Sequence, residues 1–156
     1  MNAIVELFDK DLIFVEEAET KEELFHKVGR KLLDRNLVKE GFIDAIIKRE
    51  AHYPTGLDLS VVGENLPNVA IPHTEADYCR CTKIVIVKLK KELPFCNMIA
   101  PKSQLSVRFL FMILNDQKES QTNLLSDLMS FFTQNMKVLD RLETADEIYR
   151  FVVSGK

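Results

Sequence analysis

Hydrophobic residues recur at helical spacing in two segments of the first third of the chain. The first segment follows a capping box, Thr20-Lys21-Glu22-Glu23, whose side chains can satisfy free backbone amides at a helix N-terminus. We predict an amphipathic helix from this box to Asn36. A second helix is predicted from about Lys39 to Tyr53-Pro54, because the residue before a proline avoids helical dihedral angles. The residues expected to face the core are Leu24, Phe25, Val28, Leu32 and Leu33, then Phe42, Ile43, Ile46 and Ile47.

Two further helices are predicted near the end of the chain. Apolar residues return to helical spacing between positions 123 and 132, and a second capping box, Thr144 to Glu147, opens a final helix. The final helix is expected to bury Ile148, Phe151 and Val152.

Short runs of β-branched and aromatic residues predict strands that are covered on both faces. The clearest are Ile84–Val87 and Val107–Leu114, and Leu12–Val15 and Val69–Ile71 are shorter. Helices and apolar strands that alternate along one chain indicate an α/β fold with helices on both faces of a central sheet. We predict a single compact domain over residues 1–156.

The composition is that of a globular protein without a nucleic-acid footprint. The chain has 156 residues, of which 46% are hydrophobic and 29% charged, and a formal net charge of −3. The one basic run, Lys88 to Lys91, alternates with leucine on a predicted strand, which we interpret as a solvated edge. The N-terminus is acidic and no apolar stretch is long enough for a bilayer, so we expect a cytoplasmic protein without nucleic-acid binding or membrane insertion.

The three cysteines give a weak alternative of zinc binding. His73, Cys79 and Cys81 would supply three ligands, but a closed zinc site needs four and usually separates two cysteines by two residues. We therefore predict no metal.

A histidine follows the apolar run Val69-Ala70-Ile71, directly behind Pro72. The neutral imidazole of His73 offers one bare nitrogen as a nucleophile, and the proline stiffens the backbone before it. We expect Glu75 or Asp77 to accept the hydrogen bond that fixes its tautomer.

The segment from Arg49 to Leu57 holds the groups that would complete a phosphoryl-accepting pocket. Arg49 offers a planar fork of donors at a helix end, Thr55 a hydroxyl, and Gly56 a backbone free to take a positive φ and approach a ligand. Each residue taken singly also fits an ordinary turn. Their combination with His73 favours phosphoryl chemistry.

Two motifs together resemble the enzyme IIA component of the bacterial sugar phosphotransferase system. They are Arg49-Glu50-Ala51-x-x-Pro54-Thr55-Gly56 and Val69-Ala70-Ile71-Pro72-His73. The match is to the fructose and mannitol superfamily, with the galactitol-type branch closest, over roughly residues 10–153. The resemblance implies a compact α/β fold with a mixed sheet.

The resemblance also implies site residues and partners. His73 would be the phosphorylated nucleophile and Arg49 the residue that stabilises the phosphoryl group. HPr would be the donor and a cysteine of enzyme IIB the acceptor, with no cofactor and no sugar bound. Mannitol-type members carry a second histidine where this chain has Gln121, which can donate a hydrogen bond but carries no charge.

Two questions stay open at the level of sequence. His52 lies in the turn beside Arg49 and is an alternative assistant to transfer, whereas His26 is on the polar side of the first helix. We expect a cytoplasmic phosphocarrier for sugar uptake. The alternative is a regulatory module whose His73 phosphorylation state controls a transporter or a transcription factor.

Overall fold

A mixed sheet forms the centre of the molecule. The computed structural model describes residues 3–118 and 122–154. The strands are β1 (Phe8–Glu16), β2 (Gly56–Leu57), β3 (Asn68–Ala70), β4 (Lys83–Cys96) and β5 (Gln104–Leu114). Their order across the sheet is β1-β4-β5-β3-β2. The β1–β4 and β3–β5 pairs are parallel, whereas the β4–β5 and β2–β3 pairs are antiparallel.

Helices cover both faces of this sheet. They are α1 (Lys21–Asp34), α2 (Phe42–His52), α3 (Thr122–Leu139) and α4 (Ala145–Ser154). The first two pack on one face and the last two on the other. The predicted α/β fold, with a mixed sheet between two helical layers, is therefore confirmed. None of the helices in the described part of the chain is both long and apolar enough to cross a bilayer.

Side-chain caps define where α1 and α4 begin. The Thr20 hydroxyl accepts a hydrogen bond from the Glu23 amide at 3.0 Å. At α4 the capping box is reciprocal: the Thr144 hydroxyl accepts from the Glu147 amide and the Glu147 carboxylate accepts from the Thr144 amide, each at 3.1 Å. Each such cap contributes about 1 kcal/mol of helix stability. The predicted capping box is thus complete at α4, whereas at α1 Thr20 caps the helix and the Glu23 carboxylate accepts from the Glu19 amide at 3.0 Å instead of the Thr20 amide.

The core lies on both faces of the strands that were predicted to be central. On β5, Phe109, Phe111 and Ile113 pack against the α3–α4 layer, whereas Leu110 and Met112 pack against the α1–α2 layer. Each of these five side chains is buried. Burial of one such side chain contributes about 1.5–3 kcal/mol. The absence of polar alternation in this run thus reflects a strand covered on both sides.

Lys88 belongs to a central strand, so the prediction of an edge is wrong and Lys88 is not solvated, although Lys90 and Lys91 of the same run are exposed. It lies on β4, between β1 and β5, and its pairing with β5 is interrupted between Lys88 and Leu93. Its ammonium group donates hydrogen bonds to the carbonyl oxygens of Asp140, at 3.1 Å, and Leu142. A cation is favourable there because it satisfies carbonyl groups just beyond the C-terminus of α3.

Candidate functional site

His73 is held where two parallel strands end. After β3 the backbone continues beside β5, with the Ile113 amide donating to the Pro72 carbonyl at 2.9 Å. His73 itself forms a parallel bridge with Ile113. The carboxyl ends of strands are where α/β folds place ligands, because loops and side chains converge there. The backbone of His73 is therefore fixed at such an end.

The tautomer of the His73 ring follows from a single hydrogen bond. Nδ1 lies 2.9 Å from the carbonyl oxygen of Ile71. Because a carbonyl can only accept, Nδ1 carries the proton and Nε2 is left as the bare nitrogen. The prediction that Glu75 or Asp77 fixes the tautomer is wrong, since a backbone carbonyl two residues away occupies Nδ1.

The charge of the ring is set by its surroundings. His73 is half-buried, and burial lowers the pKa of its imidazole below the ordinary value. The hydrogen bond to Ile71 opposes this shift, the nearby Arg49 guanidinium lowers the pKa further, and Glu75 raises it. The imidazole is therefore neutral at neutral pH, which is the form with a nucleophilic lone pair.

Arg49 lies near His73 and has a side-chain N–H without a hydrogen-bond partner. It lies in the last turn of α2, its Nη1 is 3.3 Å from the Glu75 carboxylate, and its guanidinium lies over the Tyr53 ring, 5.2 Å from the centroid. Within residues 3–118 and 122–154, the Arg49 Nε is the only buried side-chain nitrogen or oxygen without a hydrogen-bond partner. A buried donor left unpaired costs about 1–3 kcal/mol. The guanidinium therefore keeps one donor that no protein group in the described residues satisfies.

His73 and Arg49 line one cavity of about 620 Å³. Its polar lining comprises Arg49, His73, Thr74, Glu75, Asp77, Gln117 and Lys118. Its apolar lining comprises Ile71, Met98, Ile113, Leu124 and Leu125. The arrangement combines a charged end, where an anion can be held, with an apolar wall suited to a partner protein.

Thr55 and Gly56 do not line this cavity, contrary to the expectation from sequence. The Thr55 amide and hydroxyl both donate to the buried Glu50 carboxylate, each at 2.8 Å. Gly56 is in β2 and does not have a positive φ. A Cβ at Gly56 would lie 2.6 Å from the Cys96 carbonyl oxygen, so glycine serves close backbone packing there and not contact with a ligand.

Of the other histidines, neither His52 nor His26 lines the His73 cavity. His52 lines a separate cavity of about 520 Å³, which Arg49 and Glu75 also line, and its Nδ1 lies 2.9 Å from the Lys48 carbonyl. His26 is exposed on α1. Gln121 lies outside the described residues.

Glu50 is a buried residue of this region to which the sequence motif assigned no role. Its side chain is only 4% exposed. Burial raises the pKa of its carboxyl to about 7, although the two hydrogen bonds from Thr55 oppose the shift. The available signal was its spacing, because Glu50 follows Phe42 and Ile46 at four-residue intervals on the buried face of α2.

The cysteine thiols have separate partners. Cys79 is buried with its sulfur 3.8 Å from the Thr74 hydroxyl, and the Cys81 sulfur is 3.9 Å from the Leu37 carbonyl. Burial raises the pKa of each of these thiols. In the described part of the chain, no three histidine, cysteine or acidic side chains are grouped so that they could hold a metal ion.

The His73 imidazole, held by its hydrogen bond to Ile71, lines one cavity with Arg49, and this defines a candidate phosphoryl-transfer site. The family to which the chain belongs is one of phosphotransferase components. The chain belongs to the family described as "Phosphoenolpyruvate-dependent sugar phosphotransferase system, EIIA 2", which it matches over residues 6–154.

Relatives and solved structures of this kind are similar to the chain at low sequence identity. The galactitol-specific EIIA component of the phosphotransferase system from Escherichia coli K12 is 24% identical over 114 residues, which cover 73% of this chain and 72% of the relative. The crystal structure of IIA mannitol from Escherichia coli has a TM-score of 0.70 at 20% identity, covering 93% of this chain and 98% of that one. The IIA chain in a complex of enzyme IIA mannitol with phosphorylated enzyme IIB mannitol, also from Escherichia coli, gives 0.71 at 19% identity, covering 96% and 98%. These structures share the fold.

Proposed function

We propose that this protein is a cytoplasmic phosphocarrier of a sugar phosphotransferase system, which accepts a phosphoryl group on His73 from phosphorylated HPr and passes it to a cysteine of enzyme IIB. The observation that carries the proposal is the bare Nε2 of a neutral imidazole, held by the Ile71 carbonyl, in a cavity that Arg49 also lines. Similarity to a galactitol-specific EIIA component supports a role in uptake of a galactitol-type sugar. The structure of a IIA chain with phosphorylated IIB supports the acceptor.

Transfer to His73 needs no proton movement at the reacting atom. The lone pair of Nε2 attacks the phosphorus in line, the bond from phosphorus to the donor nitrogen breaks, and its electron pair returns to the donor imidazole. The Nδ1 proton stays in its hydrogen bond to Ile71 throughout. The main contribution of the protein is therefore positioning and charge stabilisation.

Arg49 stabilises the phosphoryl group while Glu75 keeps it from being trapped. A charge-assisted hydrogen bond from Arg49 contributes about 1.5–3 kcal/mol, which favours the loose transition state and the phosphorylated form. Glu75 already accepts a hydrogen bond from the same guanidinium at 3.3 Å and is mostly exposed. Its carboxylate competes with the phosphoryl oxygens for Arg49, so the group can leave when a thiolate of enzyme IIB attacks.

The test is phosphorylation of purified protein with phosphoenolpyruvate, enzyme I and HPr. Wild-type protein should gain one acid-labile phosphoryl group, and His73→Ala should gain none. His26→Ala is the matched control, because His26 is exposed on α1 and away from the cavity. A label that persists in His73→Ala would reject the assignment.

Transfer to a panel of purified enzyme IIB proteins separates transport from regulation. Rapid loss of the label to one IIB cysteine supports uptake, and the IIB protein that accepts the label identifies the sugar system. A phosphorylated protein that transfers to none of them and instead changes its affinity for a transporter or transcription factor would favour the regulatory role.

A further inference from the structure

A continuous chain of hydrogen bonds joins a buried carboxylate to the His73 ring. Glu50 accepts the amide and the hydroxyl of Thr55, each at 2.8 Å. The carbonyl of Thr55 accepts the amide of Ile71 at 3.2 Å. The carbonyl of Ile71 lies 2.9 Å from Nδ1 of His73. The bonds are linked mechanically through the backbone of Thr55 and of Ile71, and hydrogen bonds to a buried carboxyl are the stronger kind.

The same carboxylate is attached to the helix that carries the arginine. Glu50 follows Arg49 in the last turn of α2, and its side chain reaches five residues ahead to the start of β2. The bonds to Thr55 therefore tie the C-terminus of α2 to the strands that lead to His73. Within the described residues this is a direct, fully buried link between the segments that supply the two site residues.

We propose that Glu50 is a positioning residue for phosphoryl transfer: its buried carboxyl clamps Thr55 and, through the backbone of Thr55 and Ile71, holds the Nδ1-protonated imidazole of His73 in place relative to Arg49. This inference rests on the proposed function for its kinetic consequence, but its structural consequence, the tautomer of His73, is independent of any donor. A displacement of a reacting group by about 1 Å costs about 100-fold in rate, so a loss of the clamp should be visible in transfer.

Two substitutions of Glu50 separate hydrogen bonding from volume. In Glu50→Gln the amide oxygen can accept the Thr55 amide while the amide nitrogen donates to the Thr55 hydroxyl, so the clamp is retained. In Glu50→Leu a side chain of similar size offers no acceptor, and both Thr55 donors are left unpaired. Ile46→Ala is the matched control, because Ile46 is fully buried one turn earlier on α2 and contacts none of the hydrogen bonds of the chain.

The first readout is the set of ¹⁵N chemical shifts of the His73 ring, which report its tautomer. The second is the single-turnover rate of phosphorylation by phosphorylated HPr, divided by the folded fraction that urea denaturation gives for each variant. We expect Glu50→Gln and Ile46→Ala to keep the Nδ1–H tautomer and a rate within about threefold of wild type, whereas Glu50→Leu populates both tautomers and loses at least about tenfold in rate. The half-saturating donor concentration should change little, since the donor does not touch Glu50. If Glu50→Leu does not fold, Thr55→Val, which removes one of the two clamp bonds, should give an intermediate shift and rate.

Each other outcome overturns one claim. A wild-type tautomer and rate in Glu50→Leu, or in Thr55→Val where that variant is needed, would reject the positioning role. Equal losses in Ile46→Ala would show that lowered stability alone explains the effect and would reject it as well. A wild-type protein that accepts no phosphoryl group would instead reject the proposed function, while the ring shifts still decide whether Glu50 sets the tautomer.

Discussion

Replacing Glu50 by glutamine should remove a pH dependence of folding stability that its buried carboxyl creates. Burial raises the pKa of Glu50 from its ordinary value of 4.5 to about 7 in the folded protein, in spite of the two Thr55 hydrogen bonds. Because the folded state then holds the proton more tightly than the unfolded state, the carboxyl contributes stability that is fully present below pH 4.5. This contribution is lost as the pH rises through about 7.

The expected size follows from the two pKa values. The gap between 4.5 and about 7, at about 1.4 kcal/mol for each pKa unit, corresponds to about 3 kcal/mol of unfolding free energy. Glutamine fits the same hydrogen bonds without a titrating proton. The difference in unfolding free energy between wild type and E50Q should therefore change by about 3 kcal/mol in favour of E50Q between pH 4.5 and 8.

Urea denaturation of both proteins across this pH range measures the difference, and other carboxyl groups cancel in it. Asp58→Asn is a useful contrast, because the Ser60 hydroxyl and amide lower the pKa of Asp58, so its contribution is lost toward acid pH and not toward neutral pH. If the wild-type and E50Q curves stay parallel to within about 0.5 kcal/mol from pH 4.5 to 8, the carboxyl does not titrate as the buried site requires.

Three further changes test other contacts of the site and its scaffold. Arg49→Ala should slow single-turnover phosphorylation of His73 by about 10- to 150-fold, since it removes a charge-assisted hydrogen bond worth about 1.5–3 kcal/mol. Glu75→Gln should raise the equilibrium fraction of phosphorylated protein by up to about fivefold against a fixed donor ratio, because a mostly exposed carboxylate no longer competes for the guanidinium. Gly56→Ala should lower the unfolding free energy by about 1–3 kcal/mol, because the new Cβ would lie 2.6 Å from the Cys96 carbonyl oxygen.

Specific results would contradict each of these expectations. An unchanged rate in Arg49→Ala would remove the guanidinium from the reaction, and a lower phosphorylated fraction in Glu75→Gln would mean that the carboxylate supports the phosphoryl group. A urea midpoint for Gly56→Ala equal to that of wild type would show that the strands can separate there without cost.

The sequence was sufficient to predict what depends on local patterns. The capping boxes located the starts of α1 and α4, and unbroken apolar runs identified the central strands, because both signals lie within a few neighbouring residues. The proximity of Arg49 and His73 could also be inferred, since a helix end and a strand end at the same sheet edge converge. Their chemical roles remain predictions until the phosphorylation experiment is done.

Features that depend on distant partners were not predictable. Thr55 looked like a free hydroxyl because the spacing of Glu50 on the buried face of α2 does not reveal which donor its carboxylate binds. Lys88 looked like an edge residue because its partners, the carbonyls after α3, are more than 50 positions away. Similarly, α3 continues to Leu139, beyond the helical spacing noted between positions 123 and 132, because its later turns pack against the second face of the sheet.

The hydrogen bond that occupies Nδ1 of His73 has a kinetic consequence. Because Nδ1 is bonded to the backbone, only Nε2 can carry a phosphoryl group in the proposed reaction. The unphosphorylated protein would therefore bind the donor first, and the phosphorylated protein would bind the acceptor only after the donor has left. Double-reciprocal plots of steady-state rate at several acceptor concentrations should then form parallel lines, the pattern of a ping-pong shuttle, and should not intersect.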